Sequence, residues 1–184
     1  MTPASASNPA GWQLYVYDDD AGKIVFVGAM GSDGPGGKPV EVPPFEQKVA
    51  MFIAWSPDGS KLAIGGGYEA PYFMTLVDLT TGSTHRTDFA DGYPGEIVWT
   101  RDGRGLGVST YDPERRHHGA YVVDPSTDAA RYLLSGCHLV WSPDGRFLAM
   151  KGEHDRGVGI VDVTSGDHVQ LTHDPVDVPI AWAD

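Results

Sequence analysis

The sequence predicts an all-β fold of repeated antiparallel sheets, and three observations carry the prediction. The first is repetition: "IAWSPDG" at Trp55, "IVWTRDG" at Trp99, "LVWSPDG" at Trp141 and a shorter "IAWAD" at Trp182 recur at intervals of 44, 42 and 41 residues. That interval belongs to four-stranded propeller blades rather than to helical repeats. The second is composition: 24 Gly and 14 Pro among 184 residues punctuate short apolar runs, which suits many strands and turns. The third is that no stretch of useful length has an amphipathic helical period. The expected architecture is a β-propeller or part-propeller of four-stranded antiparallel blades, about four to the chain.

Residues 1–11 read as a disordered tail and 12–184 as a single domain. With the strands of a blade lettered A to D, "WQLYVYDDDAGKIVFVGAM" over 12–30 is a C strand, a turn at 18–22 and a D strand. Three complete A-B-C-D sets follow at about 49–89, 96–134 and 138–172, with a closing A strand at 178–183. In each set an apolar A strand ends at Trp, a tight turn follows, and a B strand such as "KLAIGG", "GLGVST" or "FLAMKG" returns. In the first turn Pro57 presets φ, Asp58 bonds its own backbone and Gly59 supplies a positive φ. The second copy replaces Ser-Pro by Thr100-Arg101 and keeps Asp102 and Gly103. "LVDLTTG" at Asp78, "YVVDPSTD" at Asp124 and "GIVDVTSG" at Asp162 each close a C strand by an Asx-type turn into a D strand.

The sequence Trp-Ser-Pro-Asp-Gly, followed by a Leu-Ala strand and a Val-Asp-x-x-x-Gly turn, resembles the WD40-like propeller repeats of TolB-type proteins, which also occur in the propeller domains of prolyl-oligopeptidase-like peptidases. The resemblance covers about 49–183 strongly and 12–30 weakly. It implies the propeller fold and leaves function open, because propellers serve unrelated roles. Such families close rings of six to eight blades, whereas this sequence holds three complete blades and pieces.

Charge narrows the partners. A formal net charge of -12 repels a phosphate backbone, so nucleic acid is not expected as a partner. No apolar run is long enough to cross a bilayer. A lone Cys137 excludes an internal disulfide. "MTPASASNPAG" lacks the basic and apolar regions of a signal peptide, which reads as cytoplasmic by default, and as periplasmic or extracellular where a leader has been removed.

In a propeller of this kind the B-to-C and D-to-A loops share one face around the central channel, and that face collects the unusual residues. The candidate partner-binding residues are Tyr68 and Glu69 in the first blade, and Tyr111, Asp112, Arg115, Arg116, His117 and His118 in the second. In the third they are Glu153, His154, Asp155 and Arg156. Residues 31–48, rich in Gly and Pro, form the longest connection; the alternatives are a surface crossing and a peptide-like arm through Pro43, Pro44 and Phe45.

No metal and no other cofactor is expected. His117, His118, His154 and His173, with Asp112, Glu153 and Asp155, offer ligand atoms, but neither HExxH nor an EF-hand loop occurs, and "DDDAG" reads as a turn. Catalytic residues are not expected either. Ser56 and Ser142 sit in structural turns without a G-x-S-x-G elbow. Cys137 and His138, as neighbours in a strand, should face opposite sides, which makes Cys137 a buried or loop thiol.

The expected function is therefore a noncatalytic protein- or peptide-binding module using the loop face. The alternative is a propeller-class hydrolase or lactonase working with channel His and carboxylate residues. For assembly, three arrangements are open: a four-bladed ring closed by the chain's own ends, a homodimer joined through the terminal strands, and a piece of a longer propeller. The homodimer is favoured, because a four-bladed ring demands strong curvature.

Overall fold

The computed structural model describes residues 12–18, 23–30, 52–66, 71–90, 92–152 and 157–182, the first two segments as backbone. The tail 1–11, the turn 19–22 and the loop 31–48 with Pro43, Pro44 and Phe45 lie outside the described residues. Among the described residues there are thirteen strands and no helix, so none long and apolar enough to cross a membrane. β1 (Trp12–Asp18) and β2 (Lys23–Met30) pair antiparallel as a two-stranded sheet.

The first complete blade is β3 (Phe52–Trp55), β4 (Lys61–Gly66), β5 (Tyr72–Asp78) and β6 (Thr84–Phe89), hydrogen-bonded in chain order. The second is β7 (Tyr93–Trp99), β8 (Leu106–Asp112), β9 (His117–Asp124) and the first half of β10 (Ala129–Trp141). The second half of β10 opens the third blade, continued by β11 (Phe147–Gly152), β12 (Val158–Asp162) and β13 (His168–Gln170).

Two expectations are corrected. Separate strands ending at 134 and starting at 138 are one strand, β10, which pairs with β9 through Ser135 and with β11 from Gly136. Too few residues separate the two halves for a loop, so the crossing is made by a bend. The register shifts between Cys137 and Val140, and His138 takes a φ of 54°. The closing A strand expected at 178–183 is not formed over its described part, 178–182. Each other A strand is held by a hairpin to its own B strand; residues 178–182 have no ladder partner among the described residues.

The turns form as their residues dictate. Ser56 Oγ donates to Asp58 Oδ1 at 2.6 Å and accepts the Lys61 N–H at 2.9 Å. Ser142 repeats both bonds, to Asp144 at 2.6 Å and from Phe147 at 2.9 Å. Thr100 does the same work with Asp102 and Gly105, so the second copy's departure from Ser-Pro keeps the hydroxyl. Gly59, Gly103 and Gly145 have φ of 72°, 72° and 71°. The serine hydroxyls lower the carboxyl pKa of Asp58 and Asp144 as the largest cause, so both carboxylates are held ionised by the turns they build.

The blades pack face to face. Ala63, Met74, Leu76 and Phe89 of the first blade bury against Leu106, Val108, Tyr121 and Val123 of the second. Ala120 of the second meets Leu139, Leu148, Met150 and Val161 of the third. Burying one such Leu, Val or Met contributes about 1.5–3 kcal/mol.

A polar clamp accompanies each apolar contact. The Trp99 indole N–H donates to the Ala54 carbonyl at 3.1 Å, Trp141 to Val98 at 3.1 Å, and Trp182 to Val140 at 3.0 Å. Trp182 thus makes the repeat's bond although its segment has no ladder.

Trp99→Phe and Trp141→Phe each remove an indole N–H and its bond to the preceding blade, which should cost about 0.5–1.5 kcal/mol in denaturant unfolding. Unchanged midpoints for both would refute the clamp. Gly59→Val and Gly145→Val force a β-branched residue into the left-handed region and should each destabilise by about 1–3 kcal/mol. Wild-type melting of both would refute the turn geometry.

Candidate functional site

The B-to-C and D-to-A connections bring one face of the expected site into view. Tyr111, Asp112, Arg115, Arg116, His117 and His118 are described; Tyr68, Glu69, Glu153, His154, Asp155 and Arg156 lie outside the described residues.

Asp112, at the end of β8, builds the turn into β9. Its Oδ1 accepts the Glu114 N–H at 2.9 Å and the Arg115 N–H at 3.1 Å, and Arg115 Nη1 lies 3.4 Å from Oδ2. The Arg115 N–H is the largest cause lowering the Asp112 pKa; burial opposes it, while the Glu114 N–H and the charges of Arg115 and His117 reinforce it. Asp112 is therefore occupied as a turn former. Arg116 completes the turn at a φ of 51°, and the Arg115 side chain remains 75% exposed. His117 pairs in register with Asp112 and His118 with Tyr111, so the adjacent imidazoles project to opposite sides of the sheet.

Sequence reasoning missed the feature that organises this face. Tyr93 at the start of β7, Tyr111 at the end of β8 and His118 at the start of β9 are successive register partners. Their rings form a row: Tyr93 to Tyr111 at 5.8 Å and 74°, and Tyr111 to His118 at 4.8 Å and 42°. Tyr72 of the first blade extends it to Tyr93 at 6.3 Å. All four side chains are half-buried, and such ring pairs contribute roughly 0.5–1.5 kcal/mol beyond their area. Gly92 permits the approach: its φ is 139°, and a Cβ there would sit 2.4 Å from the Tyr111 carbonyl. The available signal was an aromatic residue opening the strand after each loop, in "APYF" and "DGYPG".

Beside the row lies a cavity of about 630 Å³ reached by the innermost strands of all three blades. Phe52, Ile53 and Ile97 supply its apolar wall. Glu96, Ser109, His118, Cys137 and His138 supply its polar groups. His118 belongs to both row and cavity.

Cys137 and His138 both line this cavity. The left-handed backbone at His138 breaks the strand alternation, a conformation that costs about 1–3 kcal/mol in a non-glycine residue. Cys137 is half-buried within β10. Glu96 spans the second and third blades, its Oε2 accepting the Leu139 N–H at 3.0 Å. His173 lines a different cavity, of about 670 Å³, together with His168 and β12. Among the described residues no three His, Cys, Asp or Glu side chains are grouped to hold a metal ion.

No family model matches the chain, and no curated protein sequence does. Solved structures do match it in fold. The β-propeller domain of Cps50 (Swd1) from Myceliophteria thermophila is similar over 95% of this chain and 60% of its own, with a TM-score of 0.61 and 18% identity. An oligogalacturonate lyase in complex with manganese matches over 82% and 42%, with a TM-score of 0.59 and 18% identity. A protein assigned as TolB from Agrobacterium tumefaciens matches over 90% and 63%, with a TM-score of 0.54 and 17% identity. At these identities the likeness shows the fold: this chain is built of propeller blades. It spans about half the length of the structures it matches.

Proposed function

We propose that this chain is a noncatalytic protein- or peptide-binding module built on TolB-like propeller repeats, and that it binds through the loop face. The observation that supports this most is the row Tyr72, Tyr93, Tyr111 and His118, with the exposed Arg115 guanidinium on the turn that joins β8 to β9. Tyr and Arg are enriched among the residues that carry binding energy at protein surfaces, and they bring large area and directed hydrogen bonding. The loop carboxylate Asp112 is consumed by its own turn, which leaves the aromatics and the arginines as contact groups.

The hydrolase or lactonase reading draws support from the cavity, where imidazole, thiol and carboxylate line one space. An ester and lactone screen with and without chelator separates it from the binding reading.

Peptides selected from a random library on the immobilised chain should lose affinity with Tyr93→Ala and with Arg115→Ala, each by roughly 1–2 kcal/mol. The arginine contribution should also fall with salt, since exposed charges are screened over roughly 8–10 Å at physiological ionic strength. Folded variants with wild-type affinity for every selected peptide would sink the loop-face reading.

For assembly we propose a second copy docked at the open side of the third blade. Val169, Leu171, Val176 and Ile180 are 63%, 54%, 77% and 87% exposed there, while the Trp182 clamp continues the inter-blade contact onto the same side. Light scattering should give a mass near twice 19.7 kDa that is lost on deleting residues 178–184. A concentration-independent mass near 19.7 kDa would contradict it.

A further inference from the structure

We propose that the cavity beside the aromatic row receives one basic side chain, lysine or arginine, from the bound peptide. This rests on the peptide-binding reading and names the chemistry of the anchor. Among the described residues that line the cavity, only Glu96 carries a formal charge with histidine neutral, and none is a lysine or arginine. An anionic group would meet like charge, and a purely apolar one would strip water from a carboxylate without replacing it.

The hydrogen-bond inventory points the same way. A carboxylate accepts only; a neutral imidazole has one accepting nitrogen; the Ser109 hydroxyl accepts as well as donates. Lysine and arginine are donors without acceptors, so a basic head finds partners in Glu96, Ser109, His118 and His138 together. Phe52, Ile53 and Ile97 form the wall, along which an alkyl stem buries while its charged head meets the polar end.

The site is preformed. Glu96 is fixed by the Leu139 N–H at 3.0 Å, and the bend at His138 belongs to the cavity's lining. His118 joins the cavity to Tyr111 of the row at 4.8 Å between rings, so one peptide can lie on the row and drop one side chain inside. The net charge of -12 favours approach of a basic ligand over the whole surface.

The test is NMR titration of the full chain with N-acetyl-lysine methylamide and N-acetyl-arginine methylamide, with N-acetyl-norleucine methylamide as the uncharged control. The backbone amides of Gly95, Glu96 and His118 should shift saturably with a basic probe and not with norleucine. Glu96→Gln keeps an acceptor for the Leu139 N–H while removing the charge, and should weaken the basic probes at least tenfold. Equal response to norleucine, no loss in Glu96→Gln, or no shift with either basic probe overturns the proposal. The anchor and the row fail separately: Tyr93→Ala should weaken selected peptides and leave the small probes unchanged. Silent probes beside a Tyr93-dependent peptide would remove the anchor alone, and responsive probes beside an inert row would remove the row alone.

Discussion

The indole N–H that closes one inner strand and donates to the carbonyl of the inner strand before it is the contact on which the arrangement depends. It recurs at Trp99, Trp141 and Trp182 with lengths of 3.1, 3.1 and 3.0 Å. Its net energy is modest, about 0.5–1.5 kcal/mol, and the buried aliphatic faces supply more. Its effect is positional. Apolar contact is nondirectional, whereas a hydrogen bond from a rigid ring to one carbonyl sets how far each blade slides against the last. The aromatic row crosses from the first blade to the second, and the cavity needs the inner strands of all three. Neither forms unless the blades are held in that relation.

Much of the polar chemistry on the loops and turns is spent in holding shape. Ser56 and Ser142 each satisfy a turn aspartate and a strand N–H. Asp78 pairs with Lys61 at 2.6 Å, and Asp162 with Arg146 at 2.8 Å, while both cap their own turns through backbone N–H groups. The largest cause of the low Asp78 pKa is the Lys61 ammonium, and that of Asp162 is the Thr164 N–H. Groups so occupied are poor candidates for ligand chemistry. The groups that remain, the tyrosine row and the cavity with Glu96, are held by neighbours and still face open space.

The blades were legible because their signals are local. A Trp, a hydroxyl residue, Asp and Gly at fixed offsets encode a turn whose hydrogen bonds close within six residues, and alternating apolar residues encode the strands around it. The arrangement at Asp112 was legible only as a carboxylate near arginines, since its bonds to Glu114 and Arg115 turn a candidate ligand into a turn former. What escaped depends on contacts between blades. The 178–183 segment carries the right letters for an A strand, but its described part, 178–182, has no ladder partner among the described residues. The left-handed residue at His138 bends β10 between two blades, and no local pattern announces it. Tyr93 and Glu96 gained their roles from Tyr72 and Leu139, distant in sequence.

Hydrogen exchange at the indole nitrogens tests the clamp most directly, because each ring N–H reports its own bond. On the purified chain, the Trp99 and Trp141 indole protons should exchange slowly, with protection approaching that of the β8 and β11 backbone amides. The Trp182 proton should be less protected, since its segment has no ladder. Exchange of the Trp99 and Trp141 indoles as fast as a free side chain, in a protein whose strand amides stay protected, would contradict the account.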